Sequence, residues 1–421
     1  MKTMQDNITE LRLPTGARIF IAPTSAKDVV TIQGSVLGGP HHLKGGKKVV
    51  ARLCAELLDA GTKIRDKYLL RNLLAVRGAT LSFASSGDRT FFSASCLPED
   101  VKLVVTIIAE CLSQSLFEAK ELELAKERMR GALMESKNDT YVQAGIGFSR
   151  LLYENTHANY ALTTDEAIKA CKKVARDDIT SFASFGQQGM ILSLVGDLEV
   201  KKIKKDVLHA LKTISPIGHT VSKKAPHTKK HLLTDSFITI PDKKTIDTFF
   251  GAVLSIRTSD PAYLPLTILI SMLGGGGLSS GHLMRTIRER DGLTYGIKAT
   301  PTGFSVDTEG IFQIWATFSP ETFRKAVLAT RKEILTFFTR GITEKALTNK
   351  QTELSGSYLV GLGSTLGLAR VLHKIGMDGK PLSYIDEYPK LVQKITLREI
   401  NEVAQLIPKT TFSVVACGTI A

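Results

Sequence analysis

One tryptophan, five cysteines and 7% aromatic residues mark what is scarce in this chain of 421 residues. The cysteines (Cys54, Cys96, Cys111, Cys171 and Cys417) are odd in number, scattered and mostly set in apolar runs. This excludes a disulfide framework and any C-x-x-C site, and it reads as buried free thiols in a reducing compartment. No apolar run reaches the length of a membrane span. The opening MKTMQDNITELRL lacks the apolar stretch of a secretory signal. The expected compartment is therefore the cytoplasm, or the periplasm if a signal peptide has been removed. Phosphate cradles are missing too. There is no G-x-x-x-x-G-K-[ST], and G-x-G-x-x-G fails after Gly277, where Leu278-Ser279-Ser280 follow. No G-x-S-x-G marks a serine nucleophile. The net charge is +14, yet the basic residues are dispersed and not interleaved with aromatics. That argues against nucleic acid and for general solvation or an acidic partner or substrate.

What is present describes a globular protein, 43% hydrophobic and 23% charged, too long for one ordinary core. Alternating apolar residues around Pro14-Thr15-Gly16 predict a hairpin within 9–22. A strand follows at 29–37. Val49, Val50, Leu53, Cys54, Leu57 and Leu58 recur at helical spacing within 47–60, with Gly61 in the C-cap position. A helix at 67–77, paired strands at 79–85 and 90–97, a helix from Pro98 to about Gln114 and a long helix over 119–136 come next. Further helices run to Gly186, and a strand spans 190–195.

The pattern then repeats. Met190–Gly196 resembles Phe412–Gly418, and its closing glycines lie 222 residues apart. Arg176–Ile179 resembles Leu397–Ile400, and the helix holding Glu121 to Lys126 resembles the one holding Glu344 to Lys350. Near-constant offsets across several elements indicate a duplicated half. The expected fold is α+β: two homologous halves, each an antiparallel hairpin sheet with helices on one face. The halves are 1–214 and 232–421. Between them, 215–231 is rich in Lys and holds Pro and Gly, as a linker does. His227 and His231 inside it have i, i+4 spacing, but no acidic or Cys partner stands nearby, so a solvated linker is the expectation.

The most informative stretch is Leu273–Tyr295, LGGGGLSSGHLMRTIRERDGLTY. Four glycines, Gly274, Gly275, Gly276 and Gly277, follow an apolar run and permit close backbone approach. A helical segment ends at Asp291-Gly292. Arg288 and Tyr295, seven residues apart, flank that turn; a guanidinium and a phenol so placed can both donate to one extended peptide. Taken whole, the stretch resembles the second-half signature of the pitrilysin/insulinase zinc peptidases, in their mitochondrial-processing-peptidase-like branch: roughly L-G-G-G-x-S-S-R-L, then R-E-x-x-G-L-x-Y. The family's substrate-binding Arg and Tyr fall on Arg288 and Tyr295, and Gly274–Gly277 stand in its glycine loop. The family's Arg after the serines is replaced here by Gly281-His282. The resemblance covers nearly the whole chain and implies two halves folded face to face as half of a clam-like chamber.

Active members carry H-x-x-E-H on the first long helix, two His for Zn²⁺ with a Glu as general base. The helix before Gly61-Thr62 aligns with it, and the motif positions read Arg52-Leu53-Cys54-Ala55-Glu56. Arg52 and Glu56 stand for the two His, and Ala55 for the base. The third ligand falls nearest Leu133, with Glu135 as the alternative. A cation, a methyl group and one carboxylate do not make a catalytic zinc site, which takes about three protein ligands. An ion pair between Arg52 and Glu56 is expected instead. His41-His42 reads as a solvated loop pair, and His157-Ala-Asn-Tyr160, where the family often has H-P-Y-G, reads as structural. No metal or cofactor is expected in this chain, and zinc is expected in a partner. The resemblance thus implies the non-catalytic, substrate-binding subunit of a heterodimeric zinc endopeptidase. Its partner would be a homologous H-x-x-E-H subunit, with a homodimer possible for the chain alone. A structural scaffold paralogue is the main alternative. A self-sufficient peptidase using Glu56 and Glu135 as ligands is a third reading.

Overall fold

The computed structural model describes residues 3–220, 235–275, 281–407 and 412–420. The strands in chain order are β1 (Thr9–Arg12), β2 (Arg18–Pro23), β3 (Val30–Leu37), β4 (Thr80–Ser86), β5 (Arg89–Cys96), β6 (Ile191–Gly196), β7 (Asp235–Thr239), β8 (Ile246–Leu254), β9 (Gly296–Thr302), β10 (Gly310–Phe318) and β11 (Ser413–Gly418). The helices of the first half are α1 (Lys48–Leu57), α2 (Lys67–Ala75), α3 (Val101–Gln114), α4 (Ala119–Ser136), α5 (Thr140–Leu152), α6 (Thr164–Lys173), α7 (Arg176–Phe182) and α8 (Val200–Leu211). Those of the second are α9 (Tyr263–Gly274), α10 (Phe323–Arg340), α11 (Glu344–Leu362), α12 (Thr365–Met377), α13 (Tyr384–Lys394) and α14 (Leu397–Leu406). A π-helical segment, Met284–Arg290, lies between α9 and β9.

The duplication read from the sequence is visible in the sheets. One runs β1-β2-β6-β3-β5-β4 and the other β7-β11-β8-β10-β9. Apart from the added β1, the two orders correspond strand for strand. Each sheet is antiparallel save one pair, because β6 lies parallel to β2 and β11 parallel to β7. The matched closing glycines do the same job twice. Gly196 (φ +145°) and Gly418 (φ +153°) adopt backbone conformations that L side chains avoid. A Cβ there would sit 2.1 Å from the Val29 carbonyl oxygen and 2.8 Å from that of Thr245 respectively.

The chain forms two compact units, and neither is one continuous half. The first takes Met1–Ala132, Asp165–Ser222 and Tyr358–Tyr388; the second takes Leu133–Thr164, Lys223–Ser357 and Pro389–Ala421. In the first unit, strand periodicity puts alternate side chains on opposite faces. Phe92 and Leu192 face α3 and α8 with Val105, Ile108 and Leu211. Phe20, Ala22, Ile191 and Val195 instead pack against Leu368, Ala369, Leu372 and Ile375 of α12. The central strands β3 and β6 are therefore covered on both faces, by helices of their own half and by one contributed from the second half of the sequence. Three buried polar groups tie this layer together. Arg89 Nε donates to Ser35 Oγ (2.7 Å), and Ser35 Oγ lies 2.8 Å from His373 Nε2 on α12.

The second unit repeats the device with α5. Ala144, Phe148 and Leu152 pack against Phe249 and Val253 of β8, Ile311 of β10 and Val415 of β11. Asp247 at the start of β8 accepts from Thr140 Oγ1 (2.5 Å) and from the indole of Trp315 (2.7 Å), so the lone tryptophan is fixed by a buried carboxylate. His157 is buried, stacks on Tyr153 at 4.1 Å, and accepts from the Asn159 amide (2.9 Å), in keeping with a structural role.

All five cysteines are buried and free. Among the described residues no helix is long and apolar enough to cross a membrane. Two loop expectations need correction. His41 and His42 are not solvated: they form a half-buried turn, where burial pushes His41 down to about 4 despite Asp88 nearby, and the His42 ring meets His219 at 5.1 Å. The start of the expected linker is docked as well, with the Gln187 amide donating to the Ser215 carbonyl (2.8 Å) and His219 Nε2 to that of Phe182 (2.6 Å). His227 and His231 lie outside the described residues.

Candidate functional site

The helix that aligns with the zinc motif is α1. Its apolar face, Val49, Val50, Leu53, Cys54 and Leu57, is buried, which fixes the rotation of the helix and sets Arg52 outward. Ala55 is buried, and Glu56 is half-buried. The expected Arg52–Glu56 pair does not form. Glu56 Oε1 accepts instead from Arg128 Nε on α4, at 2.7 Å. A surface i, i+4 pair contributes only about 0.3–0.5 kcal/mol, too little to hold Arg52 once α4 brings another guanidinium to the same carboxylate. The set does not fit zinc: Arg52 has no lone pair to give, Ala55 has no donor or base, and Glu56 is committed to Arg128. Leu133 is half-buried and apolar on the last turn of α4, and Glu135 beside it is exposed. Among the described residues no three His, Cys, Asp or Glu side chains are grouped so as to hold a metal ion.

The second candidate region is built on α9 and the π-helical segment beyond it. Gly274 ends α9 where the helix meets β9; a Cβ there would lie 2.8 Å from the Ala299 amide nitrogen. A Cβ on Gly281 would lie 2.7 Å from the Gly274 Cα. Close backbone packing thus accounts for Gly274 and Gly281. A Cβ on Gly275 would meet Ser271 one turn back, 2.7 Å from its Cα. Gly276, Gly277 and the serines lie outside the described residues.

From His282 the chain winds into the π-helical segment. The Asp291 amide donates to the Thr286 carbonyl (3.0 Å) and the Leu293 amide to that of Ile287 (2.9 Å). Gly292, at φ +62°, reverses the chain. Ile287 and Leu293 are buried and anchor the turn on both sides. Thr294 is buried and donates to the Thr317 carbonyl on β10 (2.5 Å), so the next residue, Tyr295, is turned to solvent and is 83% exposed. Arg288 is also exposed; among the described residues its side chain has one hydrogen-bond contact, Met284 Sδ, 3.5 Å from Nη1. Among the described residues neither Arg288 nor Tyr295 meets a carboxylate or a carbonyl. Directly after Tyr295 comes β9, which among the described residues pairs with β10 alone and ends the strand order of its sheet. Two exposed donors, uncommitted among the described residues, therefore precede a strand paired on one side.

His282, in place of the family's arginine, is turned away from any such role. It donates to Glu333 Oε2 on α10 (2.9 Å) and packs against Phe337 at 5.3 Å. Burial lowers its pKa, with Glu333 opposing. The other Glu333 oxygen accepts from Arg290 Nη2 (3.0 Å), and Arg290 also forks onto Asp291 at 2.7 and 2.8 Å. Sequence spacing offered no sign of Glu333 or Arg128, which lie 51 and 72 residues from their partners.

Comparison with known proteins bears on the family and the fold. The family profile described as "Insulinase (Peptidase family M16)" matches residues 24–158, and that described as "Peptidase M16 inactive domain" matches 173–354. A relative in Helicobacter pylori, described as a non-peptidase homolog, YmxG, is 25% identical over 87% of this chain and 84% of its own. A probable mitochondrial-processing peptidase subunit beta of Arabidopsis thaliana is 18% identical over 85% of this chain and 68% of its own. A crystal structure titled as a peptidase M16 inactive domain, from Pseudomonas fluorescens, superposes with a TM-score of 0.87 at 20% identity, covering 99% of both chains. The chain belongs to the insulinase (M16) peptidase family, as an inactive member.

Proposed function

We propose that this chain is the non-catalytic, substrate-binding subunit of a two-subunit zinc endopeptidase that acts on extended peptides. The observation that carries this reading is the pair of exposed donors, Arg288 and Tyr295, uncommitted among the described residues and preceding β9, a strand paired there on one side. An extended peptide adds to a strand edge through main-chain hydrogen bonds. Arg288 and Tyr295 then donate to its carbonyls, and a homologous H-x-x-E-H subunit supplies the zinc. Holding the scissile bond in place is a contribution to catalysis that needs no metal in this chain. The positions aligned with the zinc motif agree with it, since none can serve as a ligand set.

The test is peptide binding by the purified chain. Fluorescein-labelled dodecapeptides chosen from an immobilised array are titrated by anisotropy. Arg288→Ala weakens binding about tenfold or more, as expected for loss of a charged donor, and Tyr295→Phe about threefold. Wild-type affinity in both variants refutes the reading. A scaffold role without peptide binding is the second reading, favoured by the likeness to a protein described as a non-peptidase homolog. Under it, neither substitution alters proteolysis by any complex that contains the chain.

A further inference from the structure

Resting on that reading, we infer that Glu333 is a positioning residue for Arg288: its carboxylate clamps the two ends of the π-helical segment that carries the arginine. Oε2 accepts a hydrogen bond from His282 Nε2 just before the segment, and Oε1 accepts one from Arg290 Nη2 at its end. The Glu333 side chain is only 12% exposed, and that of His282 22%. Phe337, one turn further along α10, packs against the imidazole, with ring centroids 5.3 Å apart. Thr286 Oγ1 donates to the His282 carbonyl (2.9 Å), which continues the brace into the segment.

A π-helix is poor in intrinsic stability and is retained where it shapes a site. Here an outside carboxylate fixes its entry and its exit at once. Arg288 sits between the clamped residues with no partner stronger than a thioether among the described residues, so those contacts do not set its direction. The backbone beneath it does. Arg290 has a second, bidentate partner in Asp291, so losing Glu333 frees the entry more than the exit. The prediction is a localised loosening, centred on 282–288. Glu333 touches no substrate in this scheme; it acts through the backbone.

The test is Glu333→Gln, which keeps the shape and removes the charge, with His282→Leu as a second variant that removes the donor and breaks the entry contact alone. Hydrogen exchange of the free chain is read first. Amides from 283 to 293 exchange at least threefold faster in both variants, while the rest of the second unit keeps its protection. The array-selected dodecapeptide is then titrated against wild type, Glu333→Gln, Arg288→Ala and the double variant. Glu333→Gln weakens binding at least fivefold in the wild-type background and causes no further loss once Arg288 is absent. Unchanged exchange in 283–293, or an equal loss in both backgrounds, overturns the clamp. Faster exchange with no effect of Arg288→Ala on the peptide leaves the clamp standing and refutes the peptide-binding role of Arg288.

Discussion

Acid stability offers a quantitative check on the way α12 is built into the first unit. Ser35, Arg89 and His373 are at most 8% exposed. Ser35 Oγ accepts from Arg89 Nε and shares a hydrogen bond with His373 Nε2, with the donor set by the tautomer of the ring. Arg89 also donates to the Gly189 carbonyl, and among the described residues it has no carboxylate in hydrogen-bond contact to offset its charge. Burial, then Arg89, then Lys374 push the His373 pKa down to about 3. In the unfolded chain the same ring titrates near 6.5. Between those two values the unfolded chain binds a proton that the folded chain refuses, so stability rises with pH across the window and is lost on acidification. From pH 7 to pH 5 the loss from this one residue is about 2 kcal/mol.

The perturbation is His373→Gln, which retains an acceptor for Ser35 and does not titrate. The assay is urea unfolding at pH 7 and pH 5 followed by far-UV circular dichroism, because Trp315 reports on the second unit. The variant is less stable than wild type at pH 7 through lost packing, but its stability falls between the two pH values by about 2 kcal/mol less. His41, held near 4 by burial, contributes to both proteins and cancels in the difference. Identical pH dependence in the two proteins refutes the buried, neutral His373 and the packing of α12 that creates it.

Three further outcomes rest on single contacts. Glu56→Gln costs less than about 1 kcal/mol, because the Glu56–Arg128 pair is 31% and 54% exposed at its two side chains. A double-mutant cycle by urea unfolding assigns that cost to Arg128 and none to Arg52. Gly274→Ala forces a methyl group to within 2.8 Å of β9 backbone and lowers stability by about 1–3 kcal/mol, read as a fall in melting temperature. Asp247→Leu leaves the Trp315 indole and the Thr140 hydroxyl without their acceptor, costs about 2–4 kcal/mol in unfolding free energy, and shifts the tryptophan emission.

The duplication was legible because it rests on local chemistry. The same strand ends in the same glycine twice, at Gly196 and Gly418, and the physical need for that glycine is the same both times. The turn that separates Arg288 from Tyr295 was legible for a similar reason, since Asp291-Gly292 is a local signal and Gly292 takes the left-handed conformation. The exchange of α5 and α12 was not. Their periodicity shows that each helix has an apolar face, but nothing in Phe148 or Leu372 says which of two similar apolar sheets that face will meet. The partner of Glu56 was misread for a related reason. Spacing along one helix proposes Arg52, whereas the competing Arg128 arrives from a helix whose position only tertiary packing decides. Glu333 escaped notice because a lone acid in an amphipathic helix looks like any solvated one until His282 and Arg290 are seen on its two oxygens.

The central claim is that this chain serves a zinc subunit other than itself. Its most direct test is purification of the tagged chain from its own source, with mass spectrometry and metal analysis of the eluted complex. The account predicts a companion of similar size bearing H-x-x-E-H, present at one copy per chain, carrying the zinc, and cleaving peptides only in complex with this subunit. Recovery of the chain alone or as a homodimer, or within an assembly whose proteolysis is untouched by Arg288→Ala, contradicts it.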